Sequence, residues 1–194
     1  MYWYKYNKLC PIFYICTMFS DFKPVLMILL RFLLIYLVLL GLYQLYLNYF
    51  IGQGLDPVSK WVGGQSNSVQ NFLGYESQMV DQPERETSWF YVEGAYRSRM
   101  VEGCNAISIM ILFLAFIFAF YNGAKTFVFG LAGLVFLHII NVLRIAGLNL
   151  LIVEYPKYTK IGHDYFFPAI IYGSVVILWL VWIKFFAKKP SQNA

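Results

Sequence analysis

Residues 126–153 read TFVFGLAGLVFLHIINVLRIAGLNLLIV, an apolar run with no carboxylate and one fixed charge, Arg144. Crossing about 30 Å of hydrocarbon takes ~20 helical residues, so this stretch is long enough to span a bilayer. Three more runs share its character: 25–47, interrupted only by Arg31, then 106–121, and 168–186. The run 106–121 is short by itself and is expected to take in Cys104 and Asn105 as its first turn. Together the four runs predict an all-α membrane protein, a four-transmembrane-helix bundle.

Composition agrees with that reading. Of 194 residues, 60% are hydrophobic and 20% aromatic, and only 13% are charged, against about a quarter charged in soluble domains. The net charge of +5 is no nucleic-acid footprint. The lysines gather at the two ends (Lys5, Lys8, Lys23; Lys184, Lys188, Lys189) and leave no basic face, so nucleic acid is not expected as a partner. Three cysteines cannot all pair, and Cys10 and Cys16 precede the first span, so no structural disulfide is expected. The domain reading is an N-terminal cytoplasmic segment 1–24, one membrane-embedded domain 25–187 and a cytoplasmic tail 188–194. Residues 1–17 are aromatic and Cys-containing, whereas Met18 opens a more ordinary stretch, and translation is expected to start there. The first run is too long for a cleavable signal peptide and lacks a small-residue cleavage site.

Orientation follows from Lys/Arg placement. Both termini and the turn Asn122-Gly123-Ala124-Lys125 are expected to face the cytoplasm. The long segment 48–103 between the first two helices is then extracytoplasmic. It carries seven acids (Asp56, Glu76, Asp81, Glu84, Glu86, Glu93, Glu102) against four bases (Lys60, Arg85, Arg97, Arg99). Its turn signals are Gly63-Gly64 and Gln82-Pro83, and one form it could take is a cap. Trp89-Phe90-Tyr91 reads as part of an interfacial aromatic belt. A second outer loop is expected over 154–167.

This topology places three chemically distinctive residues at one membrane level. Cys104 lies at the outer start of the second span, and His163 in the loop before the fourth. Arg144 lies ~18 residues into the third, about 27 Å of rise. Buried cysteine usually acts as a small hydrophobe. Here Glu102, Gly103 and Asn105 make its surroundings polar, and a place in a first helical turn would lower its pKa through free N–H groups and the helix dipole. An arginine inside a span is a functional-site hypothesis by default. Snorkelling to the headgroups is its bland alternative, and the polar flank of Asn141 and Asn149 argues for an inward side chain. Its charge would stabilise a thiolate or an oxyanion. His163 alone reads as a solvated loop residue; beside a thiol it becomes a general base. Gly162 would let the backbone turn there, whereas Asp164, as an adjacent residue, is not expected to orient the ring. His138 reads as a helix–helix hydrogen-bonding group, and Gly130, Ala132, Gly133 and Gly147 as close-packing positions. No metal-ligand spacing and no phosphate or dinucleotide fingerprint is present, so no cofactor is expected.

Three clusters, Glu102-Gly103-Cys104-Asn105 with Ile107-Ser108, Asn141-Val142-Leu143-Arg144-Ile145 and Gly162-His163-Asp164, together resemble the exosortase/archaeosortase family of membrane-embedded cysteine transpeptidases, most closely the short exosortase F type. The resemblance covers roughly residues 96–184. Many relatives have about eight spans instead of four. It implies a multi-pass enzyme of the bacterial inner (plasma) membrane with an extracytoplasmic active site. The implied partners are secreted proteins whose C-terminal sorting signal is a motif, a transmembrane helix and a basic tail, besides membrane lipids and an accessory membrane protein. The implied catalytic residues are Cys104 as nucleophile, His163 as general base and acid, and Arg144 as electrostatic stabiliser.

A thiol–disulfide oxidoreductase would need paired outer cysteines, and the chain has one there. The competing non-enzymatic reading is a membrane scaffold or accessory subunit of a secretion or surface-assembly system, with Arg144 and the asparagines joining helices.

Overall fold

The computed structural model describes residues 10–186, with side chains from residue 22 onward. Residues 1–9, with Lys5 and Lys8, and the tail 187–194, with Lys188 and Lys189, lie outside the described residues, as do the side chains of Cys10 and Cys16. The elements in order are α1 (Cys10–Phe50), α2 (Pro57–Phe72), β1 (Ser77–Gln82), β2 (Thr87–Val92), β3 (Ala95–Met100), α3 (Ile107–Ala119), α4 (Ala124–Glu154) and α5 (Pro156–Phe186). The expected boundary between residues 24 and 25 is not a break in secondary structure, because α1 runs through Pro24.

Among the described residues three helices are long and apolar enough to cross a membrane: Phe22–Phe50 of α1, then α4 and α5. α1 exposes Leu29, Leu30, Leu33, Leu34 and Leu37, a surface far too apolar to face water and suited to lipid. α3 is apolar throughout but has only 13 residues, about 20 Å of rise. The helix in the run 106–121 is therefore shorter than the three long ones. Cys104 and Asn105 do not extend the helix, since the chain enters it through Ala106 at φ +61, a left-handed conformation that α-helices do not continue through.

The helical core is built where small residues let helices approach. Phe113, Ile117, Leu137, Ile171, Val175 and Trp182 form one buried cluster joining α3, α4 and α5. Gly130 faces Ile117 and Leu114, Gly133 faces the ring of Phe113, and Gly147 faces Phe167, as small-residue packing requires. Ala132, by contrast, points outward. A Cβ at Gly133 would collide with the buried Phe113 ring. Gly133→Leu is accordingly expected to cost about 1–3 kcal/mol or more by overpacking. Its thermal midpoint in detergent should drop by several degrees, while Ala132→Leu leaves the midpoint in place.

The segment 48–103 is not helical throughout, so the all-α expectation fails here. Its polar alternation forms an antiparallel sheet in the order β1-β2-β3. The β2–β3 hairpin closes on Glu93 (φ 54) and Gly94 (φ 68), the two positive-φ positions that a tight two-residue turn demands. Gln82-Pro83 does mark the β1–β2 connection. Gly63-Gly64 does not mark a turn: both lie in α2, where Gly63 packs against Met79 and Phe90. Phe90 is likewise a core residue, 1% exposed, packed with Leu55, Val62, Met100, Val142 and Ile145 instead of joining an aromatic belt.

α2 starts on Asp56, whose carboxylate accepts the Ser59 N–H at 3.0 Å, with Pro57 at the first helical position. It lies along α4. Ser66 donates to the Val142 carbonyl at 3.2 Å, His138 Nε2 meets Gln65 Oε1 at 2.6 Å, and the Trp61 ring stacks on His138 at 4.7 Å. His138 thus bridges helices as expected, with α2 as its partner.

The second outer loop, expected over 154–167, is replaced by helix. α4 ends at Glu154 and α5 begins at Pro156, whose fixed φ suits a first helical residue. Hydropathy detects membrane-crossing stretches and passes over the polar turn Lys157-Tyr158-Thr159-Lys160, which is helical all the same. Gly162 makes no sharp turn, since its φ is −59. It is small because Leu151 of α4 occupies the space its Cβ would need.

Candidate functional site

The site begins with a turn, residues 101–106, that joins β3 to α3. The Cys104 N–H closes on the Val101 carbonyl at 3.2 Å, and Gly103 takes φ +81. Asn105, 1% exposed, anchors the turn. Its Oδ1 accepts the Ile107 N–H at 3.0 Å and the Tyr43 hydroxyl at 3.2 Å, and its Nδ2 donates to Ser59 Oγ at 3.0 Å. One side chain therefore ties α1, α2 and the start of α3 to the thiol-bearing turn. The expectation that Cys104 sits in the first helical turn is corrected. The helix starts at Ile107, and it is Asn105 that takes up that N–H. Cys104 is a free, half-buried thiol.

α4 supplies the facing side. Asn141 and Arg144 are three residues apart, a spacing that makes neighbours on a helix surface, and both reach the Cys104 carbonyl. Asn141 Nδ2 donates to it at 2.9 Å and Arg144 Nη2 at 3.4 Å. Arg144 Nε also donates to Asn141 Oδ1 at 3.1 Å. The guanidinium is held inward, so snorkelling is not its arrangement. Among the described residues Lys60–Asp81 is an ion pair and the Asp164 carboxylate faces the His163 imidazole; Arg144 is charged, half-buried and balanced only by neutral acceptors. Its Nη1 has no partner among those hydrogen bonds.

His163 lies on the π turn Gly162–Phe166 of α5. Its Nδ1 stands 2.9 Å from Asp164 Oδ1, with the imidazole side chain 68% exposed. The expectation that Asp164 would not orient the ring is corrected, since the two side chains meet. A carboxylate at Nδ1 favours the proton on that nitrogen and leaves Nε2 as the acceptor.

Cys104, Arg144 and His163 all line one cavity of about 430 Å³. It lies between the sheet and the upper parts of α4 and α5, and β3 contributes Tyr96, Ser98, Arg99 and Met100. Asn149, fully buried, accepts the Ser98 hydroxyl at its Oδ1, and its Nδ2 has no partner. Among the described residues no carboxylate lines the cavity. Arg99 and Ser98 look like ordinary loop residues in the sequence, and only strand pairing sets them beside α4. Among the described residues no group of three His, Cys, Asp or Glu side chains is placed to hold a metal ion.

Glu102, two residues from the thiol, has its carboxyl pushed above the ordinary carboxylate range by burial, and further by the charges of Asp56 and Glu86. A raised folded-state pKa means that this group favours folding below its unfolded pKa, and that this contribution is lost as pH rises through the folded value. Glu102→Gln is expected to stabilise the protein relative to wild type at neutral pH. The difference in thermal midpoint should shrink to nothing as pH falls below the carboxylate range; a pH series of melting curves checks it.

No protein-family model, curated protein or solved structure matches this chain.

Proposed function

We propose that this chain is a membrane-embedded cysteine protease or transpeptidase of the exosortase kind, acting on secreted proteins that carry a C-terminal motif, transmembrane helix and basic tail. The observation that carries the proposal is the single cavity of about 430 Å³ lined jointly by Cys104, Arg144 and His163. These residues come from three separate parts of the chain. A thiol, a fixed cation and an imidazole are the groups that acyl transfer through a thioester uses.

In this reading α3 is a fourth crossing beside α1, α4 and α5, both termini are cytoplasmic, and the sheet and α2 stand outside. The protein resides in the bacterial inner membrane. α4, with 31 residues, is about 46 Å long. It can cross the hydrocarbon and still carry Arg144 and Asn149 to the outer interface. A substrate anchored by its own helix is confined to the bilayer plane, which raises its effective concentration at that level.

The chemistry follows from the groups. His163 Nε2 takes the thiol proton, and the sulfur attacks the scissile carbonyl carbon. Arg144 Nη1 donates to the developing oxyanion. The C–N bond then breaks, the departing amine takes the proton back from the imidazolium, and a thioester remains. An amine acceptor resolves it as a transpeptidase product, water as a hydrolysed one.

One observation favours the competing reading of a non-catalytic scaffold or accessory subunit: Arg144 and Asn141 both hold the Cys104 carbonyl, as a purely structural clamp would. The deciding experiment co-expresses the chain with secreted proteins ending in a helix and Lys/Arg tail. Loss of that tail supports the enzyme; its retention in every substrate, with the chain present in the membrane, supports the scaffold.

A further inference from the structure

β3 is an edge strand, hydrogen-bonded to β2 on one side only. Ser98, Arg99 and Met100 follow one another in the chain, yet all three line the same cavity. Side chains alternate across a sheet. Met100 is buried in the core beneath the sheet, whereas Arg99 is exposed. The cavity therefore meets residues of both faces of β3 and continues past its C-terminal end to Val101 and Cys104. Among the described residues, no backbone group of 96–100 has a hydrogen-bond partner beyond β2. An edge of this kind offers alternating donors and acceptors to another extended chain.

The cavity's charge selects among occupants. Two guanidinium groups, Arg99 and Arg144, line it, and neither forms an ion pair among the described residues. We infer that the free edge of β3 is a strand-addition site for an extended polypeptide segment bearing a carboxylate that pairs with Arg99. The inference rests on the reading of the cavity as the place where a polypeptide is cut, and it specifies how that polypeptide is held. Main-chain hydrogen bonds would supply affinity and the carboxylate selectivity. The buried, unpartnered Asn149 Nδ2 beside Ser98 offers the segment a further donor. An anionic lipid headgroup could satisfy the arginines, but it has no use for the strand's free N–H and C=O alternation.

The test uses the full chain carrying Cys104→Ala, in phosphatidylcholine nanodiscs, with amide hydrogen exchange as readout, so binding is scored without turnover. The probe is a capped heptapeptide alternating Val and Thr around a central Glu, at millimolar concentration. Its Gln counterpart and a form N-methylated at alternate residues serve as comparisons. The Glu peptide is expected to slow exchange over 96–100 by about tenfold or more. The Gln peptide should do so less, the N-methylated peptide not at all, and Arg99→Gln should erase the difference between Glu and Gln. The inference is overturned if no peptide protects 96–100, or if the N-methylated peptide protects equally. It is also overturned if phosphatidylglycerol nanodiscs alone produce the protection, which would assign the cavity to lipid. Protection by the Glu peptide alongside undiminished processing by Cys104→Ala would leave strand addition standing and remove the thiol mechanism.

Discussion

Cys104→Ala is expected to stop removal of the C-terminal helix and tail from a co-expressed substrate, lowering turnover by at least about a thousandfold. The variant should still accumulate in the membrane. The thiol is half-buried at the cavity wall and its sulfur takes part in none of the site's hydrogen bonds, so truncation should cost only about 1 kcal/mol. Cys104→Ser sharpens the comparison. It preserves the backbone carbonyl that Asn141 and Arg144 hold, and it nearly preserves side-chain volume. A scaffold would tolerate it, whereas a thioester mechanism would not. Tail removal at wild-type rate by either variant, measured by mass spectrometry of the secreted product, would end the cysteine-protease reading.

Arg144→Ala should be the second most damaging change, because it removes both a charge and a clamp. Loss of one oxyanion donor typically costs about 10²–10³ in kcat. Losing the 3.1 Å and 3.4 Å bonds to Asn141 and the Cys104 carbonyl adds a stability deficit of about 1–3 kcal/mol. Two companions separate these effects. Asn141→Ala deletes the 2.9 Å bond to the carbonyl and one acceptor of the guanidinium while leaving the cation in place. It should lower the thermal midpoint about as much as Arg144→Ala and reduce turnover far less. Arg144→Lys keeps a charge but lacks the planar fork that serves two acceptors at once, so its turnover should fall between wild type and Arg144→Ala. If turnover merely tracks thermal midpoint across the three, Arg144 acts only as a clamp and its assignment to the oxyanion is withdrawn.

Much of this arrangement was legible in the chain because hydrophobic length is a one-dimensional property. Runs 126–153 and 25–47 are apolar for enough consecutive residues to fill a bilayer whatever their neighbours are, and both lie in long helices. The inward side chain of Arg144 was also legible, since Asn141 one turn earlier offers the acceptor that a charge within a helix needs. The small residues Gly130, Gly133 and Gly147 foretold close helix contacts because few other reasons bring glycine into an apolar helix.

The order of residues alone dictates which stretches seek hydrocarbon and which residues, Arg144 among them, are chemically out of place there. What lies between those stretches is set by contacts that form on folding. The fate of 48–103 depends on the pairing of β1 with β2 and of β2 with β3, and no local periodicity sets β3 beside α4. The start of α3 at Ile107 depends on Asn105 finding Tyr43 and Ser59, partners supplied by two other helices. The close packing of 156–166 on α4 needs Gly162 small beside Leu151. Burial of long apolar runs is additive along the chain. Hydrogen bonding of polar groups at a buried junction is a matter of which partners arrive, and that is known only once the chain has folded.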